Sequence, residues 1–576
     1  MANITNRKAL SDFTDANYPP IVQKIFANRG IKTTDDLDLS LSALLPISSL
    51  ENVDEAANLL FSCIKTKQKI IILADYDADG ATSCALAVRF LQAMGAVVDF
   101  IAPNRVKHGY GMTAAIVQEI LPLKPKLIMT VDNGIANFDG VKLAKSNNCQ
   151  VLITDHHLPA NSLPDADVIV NPNLKSSSFA SKNLAGVGVA FYVLCALHKK
   201  LLELGWYQLN LLTPAQPKDF LDLVAIGTMA DVVPLDKNNR ILIANGIKLI
   251  QRNKTRPGVK ALFELSKCEY KHASCNDLAF YIAPRINAAG RMQDMKLGIK
   301  CLLDDNPETA FEKASELHFC NSQRRDVQQK MQQQCDDIIN DIKLENLPTG
   351  ICLFNSSWHE GVVGIVAGRL KEKYNRPAIV FAQATGEAEA LLKGSARSIS
   401  GLNIRDAFDN INKSLPLIEK FGGHAMAAGL TIKESNFTKF NQAFIAELQS
   451  QLTQEDFKQE ILSDGSLSRD EFSLSFVKFL QQISPWGQEF LQPMFANYFF
   501  VLDARIVGEK HLKMIVRPDF KKWQDNNKIE IDAIAFNTII ENIATSNKPI
   551  LMAYRLDINR WQGRENLQLI IEHIEA

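Results

Sequence analysis

No CxxC pair and no Cys/His grouping at zinc-ligand spacing occurs in this sequence, which excludes the common structural zinc modules. Its ten cysteines are scattered, at 63, 84, 149, 195, 268, 275, 301, 320, 335 and 352, most of them in apolar surroundings such as ATSCALAV and GICLF. They read as small buried hydrophobes in a reducing compartment, which predicts a cytoplasmic protein. No apolar run approaches the roughly 18 residues of a membrane span, and MANITNRKALSDF has no apolar core of signal-peptide type. A GxxxxGK[ST] loop is missing as well, which excludes a P-loop ATPase. Excess charge is missing too: 63 Lys and Arg against 64 Asp and Glu leave a net charge of −1. That excludes a uniformly basic protein held on nucleic acid by bulk charge, and leaves room for a basic groove. There is no internal repeat and no low-complexity tract.

What is present is an ordinary globular composition over 576 residues, 46% apolar and 22% charged. At about 150 residues per domain, this suggests three or four domains. Three short apolar runs each end in polar residues: Ile70–Ala74 before DYDADG, Leu127–Val131 before DNG, and Val151–Thr154 before DHH. Continuous apolar runs of this length suit strands covered on both faces of a parallel sheet. Helical patterns at Thr82–Met94, Thr113–Glu119 and Phe138–Ser146 separate them, which is βαβ alternation. Ligands of such sheets bind at the carboxyl ends of the strands, where all three polar clusters fall.

Further on, Ala185–Lys200 and Asp219–Met229 are helical in pattern. From Asn306 to Leu344 the chain is polar and nearly free of Gly, and reads as a long connecting helix. A second α/β pattern follows, with strands near Ile351–Phe354 and Ala378–Phe381 and a helix over Val362–Tyr374. It closes with FGGHAMAAGL (421–430) and a helix near Asn436–Leu448. In 460–576, short β-type runs at Phe499–Ile506, Leu512–Val516, Ile529–Phe536 and Leu567–Ile571 predict a small β-barrel.

The clusters carry the chemistry. Asp75, Asp77 and Asp79 alternate along one strand end, where crowding raises carboxyl pKa values unless cations neutralise them. Hard divalent cations, Mg²⁺ or Mn²⁺, are the natural partners of such oxygen ligands. Asp132, in VDNGI, would alone be an ordinary Asp-Asn-Gly turn; its place at a second strand end promotes it. Asp155-His156-His157 adds imidazoles to the carboxylates, which favours a transition metal such as Mn²⁺ over Ca²⁺. Asp231 ends the apolar stretch of GTMADVVPL, where it could equally be a cap or an ion-pair partner. Together these segments suffice for two ions about 4 Å apart, which points to phosphoester hydrolysis.

DYDADG, VDNG, DHH and GTMADVVPL, in this order, resemble the four motifs of the DHH phosphoesterase superfamily. GGHAMAAG is similar to the signature of its associated DHHA1 domain. PNRVKHGYG (103–111), RINAAGRM (285–292), WHEGVVGIVAGRL (358–370) and GSARS (394–398) narrow the resemblance to the RecJ family of single-strand-specific 5′→3′ exonucleases. That resemblance covers nearly the whole chain and is weakest in the last 115 or so residues, whose β-rich pattern is similar to the family's oligonucleotide-binding (OB) fold.

The resemblance implies a parallel-sheet α/β DHH domain, a connecting helix, an α/β DHHA1 domain and a C-terminal OB barrel. The corresponding boundaries are 1–50 for an N-terminal segment, then 51–305, 306–345, 346–455 and 460–576. It implies Asp77, Asp79, Asp132, His156 and Asp231 as ligands of two Mn²⁺ or Mg²⁺ ions, with Asp79 bridging. Asp75 and His157 act beside them, and His424 faces the metals from the second domain. Arg105, Ser395 and Arg397 hold a terminal 5′-phosphate, and Arg285 and Arg291 could track the strand. Single-stranded DNA, single-strand-binding protein and a helicase are the implied partners. Lys510, Lys513, Arg517, Lys521 and Lys522, with Phe520 and Trp523 interleaved, suit an OB surface that stacks bases. Two other readings remain. One is a DHH enzyme acting on short oligonucleotides or cyclic dinucleotides. The other is a non-catalytic scaffold, against which every ligand position is filled.

Overall fold

The computed structural model describes residues 3–104, 107–341, 347–384, 390–483, 485–520, 529–540, 543 and 548–575. The chain forms two compact units, each assembled from non-contiguous segments. One gathers Met1–Leu44, Val232–Ala244 and Lys458–Ala576; the other holds Leu45–Asp231 and Asn245–Phe457. Strand β1 (Asn3–Asn6) belongs to the first of these.

In the larger unit, β2 (Lys69–Leu73), β3 (Val97–Ile101), β4 (Leu127–Val131), β5 (Gln150–Thr154) and β6 (Val168–Val170) form a parallel sheet in the order β3-β2-β4-β5-β6. Ile71, Leu73, Ile128, Val151 and Ile153 pack on one face against Met112, Ile116, Val117 and Val141. Ile70, Ile72, Met129 and Leu152 are equally buried on the other, toward helices Ala78–Ala93 and Gly186–Glu203. Burial on both faces is why these strands read as unbroken apolar runs.

A second sheet in the same unit is mixed. Strands β7 (Ile351–Phe354), β8 (Ala378–Gln383), β9 (Leu391–Arg397), β10 (Ile418–Gly423) and β11 (Ala427–Lys433) lie in the order β10-β11-β9-β8-β7. Only β7 and β8 run parallel. Phe381, Phe408, Phe440 and Phe444 build its core on one side. The long helix Pro307–Asp341 serves both sheets. Its early buried residues, Ala310, Ala314 and Leu317, lie where it packs on helices Pro257–Leu265, Ala283–Met292 and Lys296–Leu303. Later ones, Met331, Cys335 and Ile339, pack with Ile351, Val366 and Leu370.

In the other unit β1 runs parallel to β12 (Glu460–Ser463). Strands β13 (Phe495–Val507), β14 (His511–Pro518), β15 (Ile531–Ala535), β16 (Ile550–Trp561) and β17 (Arg564–Glu575) close a barrel in the order β13-β14-β15-β17-β16. Phe472, Phe499 and Tyr554 fill it with ring contacts. Asp464, fully buried, accepts from Arg29 on both oxygens and from Asn28. That charge pair joins residues 28–29 to the barrel's leading segment, and truncating either partner would leave an uncompensated buried charge. All ten cysteines are free, and eight are buried. Among the described residues, no helix is long and apolar enough to cross a membrane.

Candidate metal centre and phosphate contacts

The acidic clusters sit where the parallel strands end. After β2 the chain turns at Asp75 and enters helix Ala78–Ala93, whose N-cap is Asp77, accepting from Gly80 N–H at 2.9 Å. A carboxylate there also meets the positive end of the helix. Asp79, in the first turn, is 1% exposed. Its two oxygens accept from Gly186 N–H (2.8 Å) and Val187 N–H (2.9 Å), the leading amides of helix Gly186–Glu203. Asp132 follows β4 with φ 62°, the left-handed region an Asp tolerates better than most residues. Its neighbour Asn133 ties the loop down by donating to Leu73 O and Val131 O.

Asp155 follows β5 and organises the histidines. Its Oδ1 accepts from His156 N–H, His157 N–H and His157 Nδ1, the last at 2.7 Å, while Oδ2 accepts from Ile135 N–H. His157 therefore turns its Nε2 outward, 3.2 Å from the Tyr110 hydroxyl. His156 Nε2 lies 3.1 Å from Asp132 Oδ1 and 3.4 Å from Asp231 Oδ2, and none of these three buried atoms has a hydrogen-bond partner. Converging lone pairs without donors are what a cation requires. Three groups are tight enough to hold an ion: Asp75, Asp77 and Asp132; Asp79, His156 and Asp231; and Asp132, His156 and His157. Asp132 is the carboxylate common to two of them. The sequence resemblance gives the bridging position to Asp79, whose oxygens here already serve two amides.

The electrostatics follow. Burial, then repulsion from neighbouring Asp side chains, pushes the carboxyls of Asp75, Asp77, Asp79 and Asp132 above the usual range. Asp155 is held below it, because the hydrogen bond and charge of His157 outweigh its burial. Burial lowers His157, but Asp155 prevails and takes it up to about 9.

Close packing shapes this edge. A Cβ on Gly186 would stand 2.5 Å from Asp132 Oδ1, and one on Gly227 would stand 2.3 Å from Thr82 Oγ1 and 2.8 Å from Asp79 Oδ1. An alanine at either position would displace a carboxylate. Asn287 accepts from Ala78 N–H at 2.8 Å, and so fixes the DYDADG turn from helix Ala283–Met292. Sequence reasoning quoted RINAAGRM and GTMAD without singling out Asn287 or Gly227. Gly186 carried no signal at all, since only packing reveals it.

In the second sheet, Gly423 takes φ 137° at the end of β10, and His424 occupies the turn into β11. His424 is exposed, and its pKa is lowered by burial of its ring and then by His157, Arg405 and His156. That places it within electrostatic reach of the metal edge. Ser395 and Arg397 lie on one face of β9, with Arg397 Nη1 donating to Ser395 Oγ at 3.1 Å. Gly364, in the first turn of helix Val363–Tyr374, leaves the space before them open: a Cβ there would meet Ser395 Oγ at 2.9 Å and Arg397 at 3.1 Å. Among the described residues Arg397 has no acidic partner, and burial lowers its pKa. Arg291 donates to Gly361 O at 3.1 Å, joining the two α/β halves. Arg285 is only 4% exposed and donates to His318 and Tyr281 O rather than standing on an open surface. Arg105, Lys521, Lys522 and Trp523 lie outside the described residues.

A parallel sheet edged with clustered carboxylates and a His pair, facing a second sheet that carries Arg397 and His424, defines a metal-dependent phosphoesterase of the DHH class. Family models match accordingly: the DHH family N-terminal domain over residues 69–228, the DHHA1 domain over 348–450 and the RecJ OB domain over 463–573. The chain is 42% identical to the single-stranded-DNA-specific exonuclease RecJ of Salmonella typhimurium, over 97% of this chain and 96% of that protein. It is 40% identical to the Escherichia coli protein of the same name, with the same coverage. The crystal structure of RecJ from Thermus thermophilus in complex with Mn²⁺ superposes with a TM-score of 0.78 at 28% identity, covering 97% of this chain and 76% of that one. The chain belongs to the RecJ family.

Proposed function

We propose that this protein is a single-stranded-DNA-specific 5′→3′ exonuclease that hydrolyses phosphodiester bonds with two divalent ions, Mn²⁺ or Mg²⁺, and releases 5′-mononucleotides in DNA recombination and repair. The observation that carries the reading is the trio of buried, unpartnered atoms on Asp132, His156 and Asp231, set among three further carboxylates. Asp75, Asp77 and Asp132 would hold one ion, and Asp79, His156 and Asp231 the other, with Asp132 shared. When bound, the ions acidify a water and stabilise charge on the phosphorus centre.

The chain's own residues do the rest. Asp155 accepts from His157 Nδ1–H and favours the imidazolium, so that Nε2–H is the donor offered to a phosphate oxygen. His424 supplies a second imidazole from the opposite sheet. Ser395 and Arg397, with Arg105, would grip a terminal 5′-phosphate and act as the stop that sets the cleavage register. Arg285 and Arg291 are assigned to the strand path. The domain division proposed is 1–50, 51–305, 306–345, 346–455 and 460–576, with Val232–Ala244 of the second stretch lent to the compact unit that holds the barrel and the barrel as a single-strand platform. A cytoplasmic setting, with single-strand-binding protein and a helicase as partners, completes the proposal.

The test uses a 5′-phosphorylated, 3′-labelled single strand with Mn²⁺, beside a blunt duplex and a cyclic dinucleotide. A ladder shortening from the 5′ end, with duplex spared, is expected. Hydrolysis of the dinucleotide alone would move the function to small nucleotides. Arg397→Ala is expected to reduce the preference for 5′-phosphate over 5′-hydroxyl ends by about tenfold or more, the worth of one charge-assisted bond. The rate at saturating strand should change far less. An unaltered preference would remove Arg397 from the pocket.

A further inference from the structure

The two histidines of the metal edge stand where regular structure has run out. The pairing of β5 with β6 is followed by one last backbone bond, Asp155 N–H to Val170 O at 3.2 Å. Beyond His157 the chain is neither helix nor strand until β6, and Leu158 and Leu163 in that stretch are exposed. A backbone so placed has no ladder to satisfy its polar groups and needs other partners. Here all four groups of the dipeptide His156-His157 have one. Both N–H groups donate to Asp155 Oδ1. Both carbonyls accept from asparagines of NPN (171–173), the tripeptide that follows β6. Asn173 Nδ2 donates to His156 O at 2.6 Å, and Asn171 Nδ2 to His157 O at 2.9 Å.

This clamp is itself braced. Asn171 is fully buried, and its Oδ1 accepts from Asn173 N–H at 2.7 Å, so one side chain holds both a histidine and the other asparagine. Lys182 Nζ donates to Pro172 O at 2.6 Å and to Ser177 O at 2.7 Å. Lys182 lies shortly before Gly186, whose amide holds Asp79, so one stretch of chain supports both sides of the metal edge. With each peptide of the pair fixed at both ends, side-chain torsions alone place the imidazoles, whose centroids are 4.6 Å apart. The two carbonyl bonds act on different rings. Asn173 steadies His156, whose Nε2 faces Asp132 and Asp231. Asn171 steadies His157, whose Nδ1 is held by Asp155. Partners of this kind, one bond removed from a ligand, are typically worth about 10- to 100-fold in metal affinity or activity.

We propose that Asn171 and Asn173 are positioning residues for phosphoester cleavage, Asn173 through the ion ligand His156 and Asn171 through both His156 and His157. The clamp rests on the function proposed above. It gives the NPN tripeptide a part in the reaction although neither asparagine is an ion ligand.

Asn173→Ala is the decisive variant, because Asn173 is half-buried and its truncation disturbs little packing. Calorimetric titration should show it binding Mn²⁺ about tenfold or more weakly than wild type. At saturating Mn²⁺ its kcat and KM on a 5′-phosphorylated single strand should return to within about threefold of wild type. Asn171→Ala frees both carbonyls. It should lose Mn²⁺ affinity to the same degree and also keep a kcat about ten- to a hundredfold low at saturating Mn²⁺, with KM for the strand within about threefold. Asn171→Ser, which retains an acceptor for Asn173 N–H, carries the same test if the alanine variant does not fold. Asparagines that only held the fold would lower the melting temperature and leave Mn²⁺ affinity and kcat per folded molecule unchanged. Wild-type Mn²⁺ affinity in Asn173→Ala would therefore overturn its role, and a wild-type kcat in Asn171→Ala at saturating Mn²⁺ would overturn the other. Weakened Mn²⁺ binding in Asn173→Ala, beside a wild-type protein that cleaves no single strand, would keep the clamp on His156 and overturn the exonuclease reading instead.

Discussion

Asp132→Asn is expected to reduce cleavage by at least about a thousandfold and, in the same variant, to make the metal-free protein more stable. Both effects come from one carboxylate. Asp132 belongs to two of the groups that could hold an ion, and its Oδ1 lies 3.1 Å from His156 Nε2 of the third, so on the proposed assignment neutralising it weakens the grip on both ions. Metal-ion stabilisation of a transition state is worth several kcal/mol, and each 1.36 kcal/mol is tenfold in rate. The fold has little reason to object. Asparagine has the same shape and accepts the left-handed backbone found here at φ 62°. The amide removes a charge that burial and the nearby Asp79 and Asp77 make unwelcome. It also offers an N–H to the unpartnered His156 Nε2. Melting of the metal-free variant should rise by a few degrees, while the further rise on adding Mn²⁺ should shrink. Single-strand binding in EDTA should survive. Cleavage within tenfold of wild type would take the shared position away from Asp132. Loss of binding would mean that these carboxylates mainly hold the fold. Asp79→Asn makes the comparison, since it tests the position that the sequence resemblance favours for the bridge.

The parts of this fold that were legible are those where burial leaves a one-dimensional trace. Strands β2, β4 and β5 are apolar throughout because both faces are covered. Each ends where a carboxylate begins, so the metal edge could be read as three apolar runs with acidic tails. Strand β3, VVDFI, is a half-exposed edge strand carrying Asp99, and β6 is three residues long; neither has a run to detect. The hairpin of β10 and β11 lies within and around FGGHAMAAGL, whose glycines and alanines leave no apolar run to mark a strand. The long helix was visible from its lack of Gly, since one polar helix needs no sheet to explain it.

What stayed invisible is set by neighbours far off in sequence. Nothing in IGTMAD says that Gly227 must clear Asp79, and nothing before residue 186 says that its amide feeds the same carboxylate. Motif resemblance proposes the ligands but not their division between two ions, which depends on which oxygens the backbone has already taken. Likewise, Asn3–Asn6 reads as an ordinary N-terminal stretch until its partner 457 residues later is seen. RINAAGRM suggested Arg285 as a strand contact, yet its burial against His318 appears only once the connecting helix is in place.

The second large effect is a dependence of stability on pH that bound metal should cancel. In the metal-free protein, Asp75, Asp77, Asp79 and Asp132 hold protons to higher pH than they do unfolded. The folded state then binds more protons than the unfolded state, so stability falls as pH rises from about 4 through the raised values. His157 acts in the same direction: its contribution is full below about 6.5 and is lost as pH passes its folded value of about 9. Asp155 has the opposite sign, but its contribution is lost only as pH falls through its lowered folded value. Between pH 6 and 9 the shifts of these four carboxyls and of His157 therefore destabilise, while His424, whose lowered value acts in the opposite sense, contributes no further change once pH is above the ordinary imidazole value of about 6.5. Divalent ions compete with those protons and replace repulsion with attraction, so they bind more tightly as pH rises. At a hundredfold excess over the dissociation constant, a ligand adds about 2.7 kcal/mol, or roughly 3 °C for a unit as large as Leu45–Asp231 with Asn245–Phe457. Calorimetry should show the metal-free melting temperature declining from pH 6 to 9, and saturating Mn²⁺ flattening the decline. The gain from Mn²⁺ should be larger at pH 8 than at pH 5.5. A metal-free melting temperature that is level or rises over that range would mean that the four carboxylates are not crowded as described. An Mn²⁺ gain equal at both pH values would mean that the ion does not displace their protons.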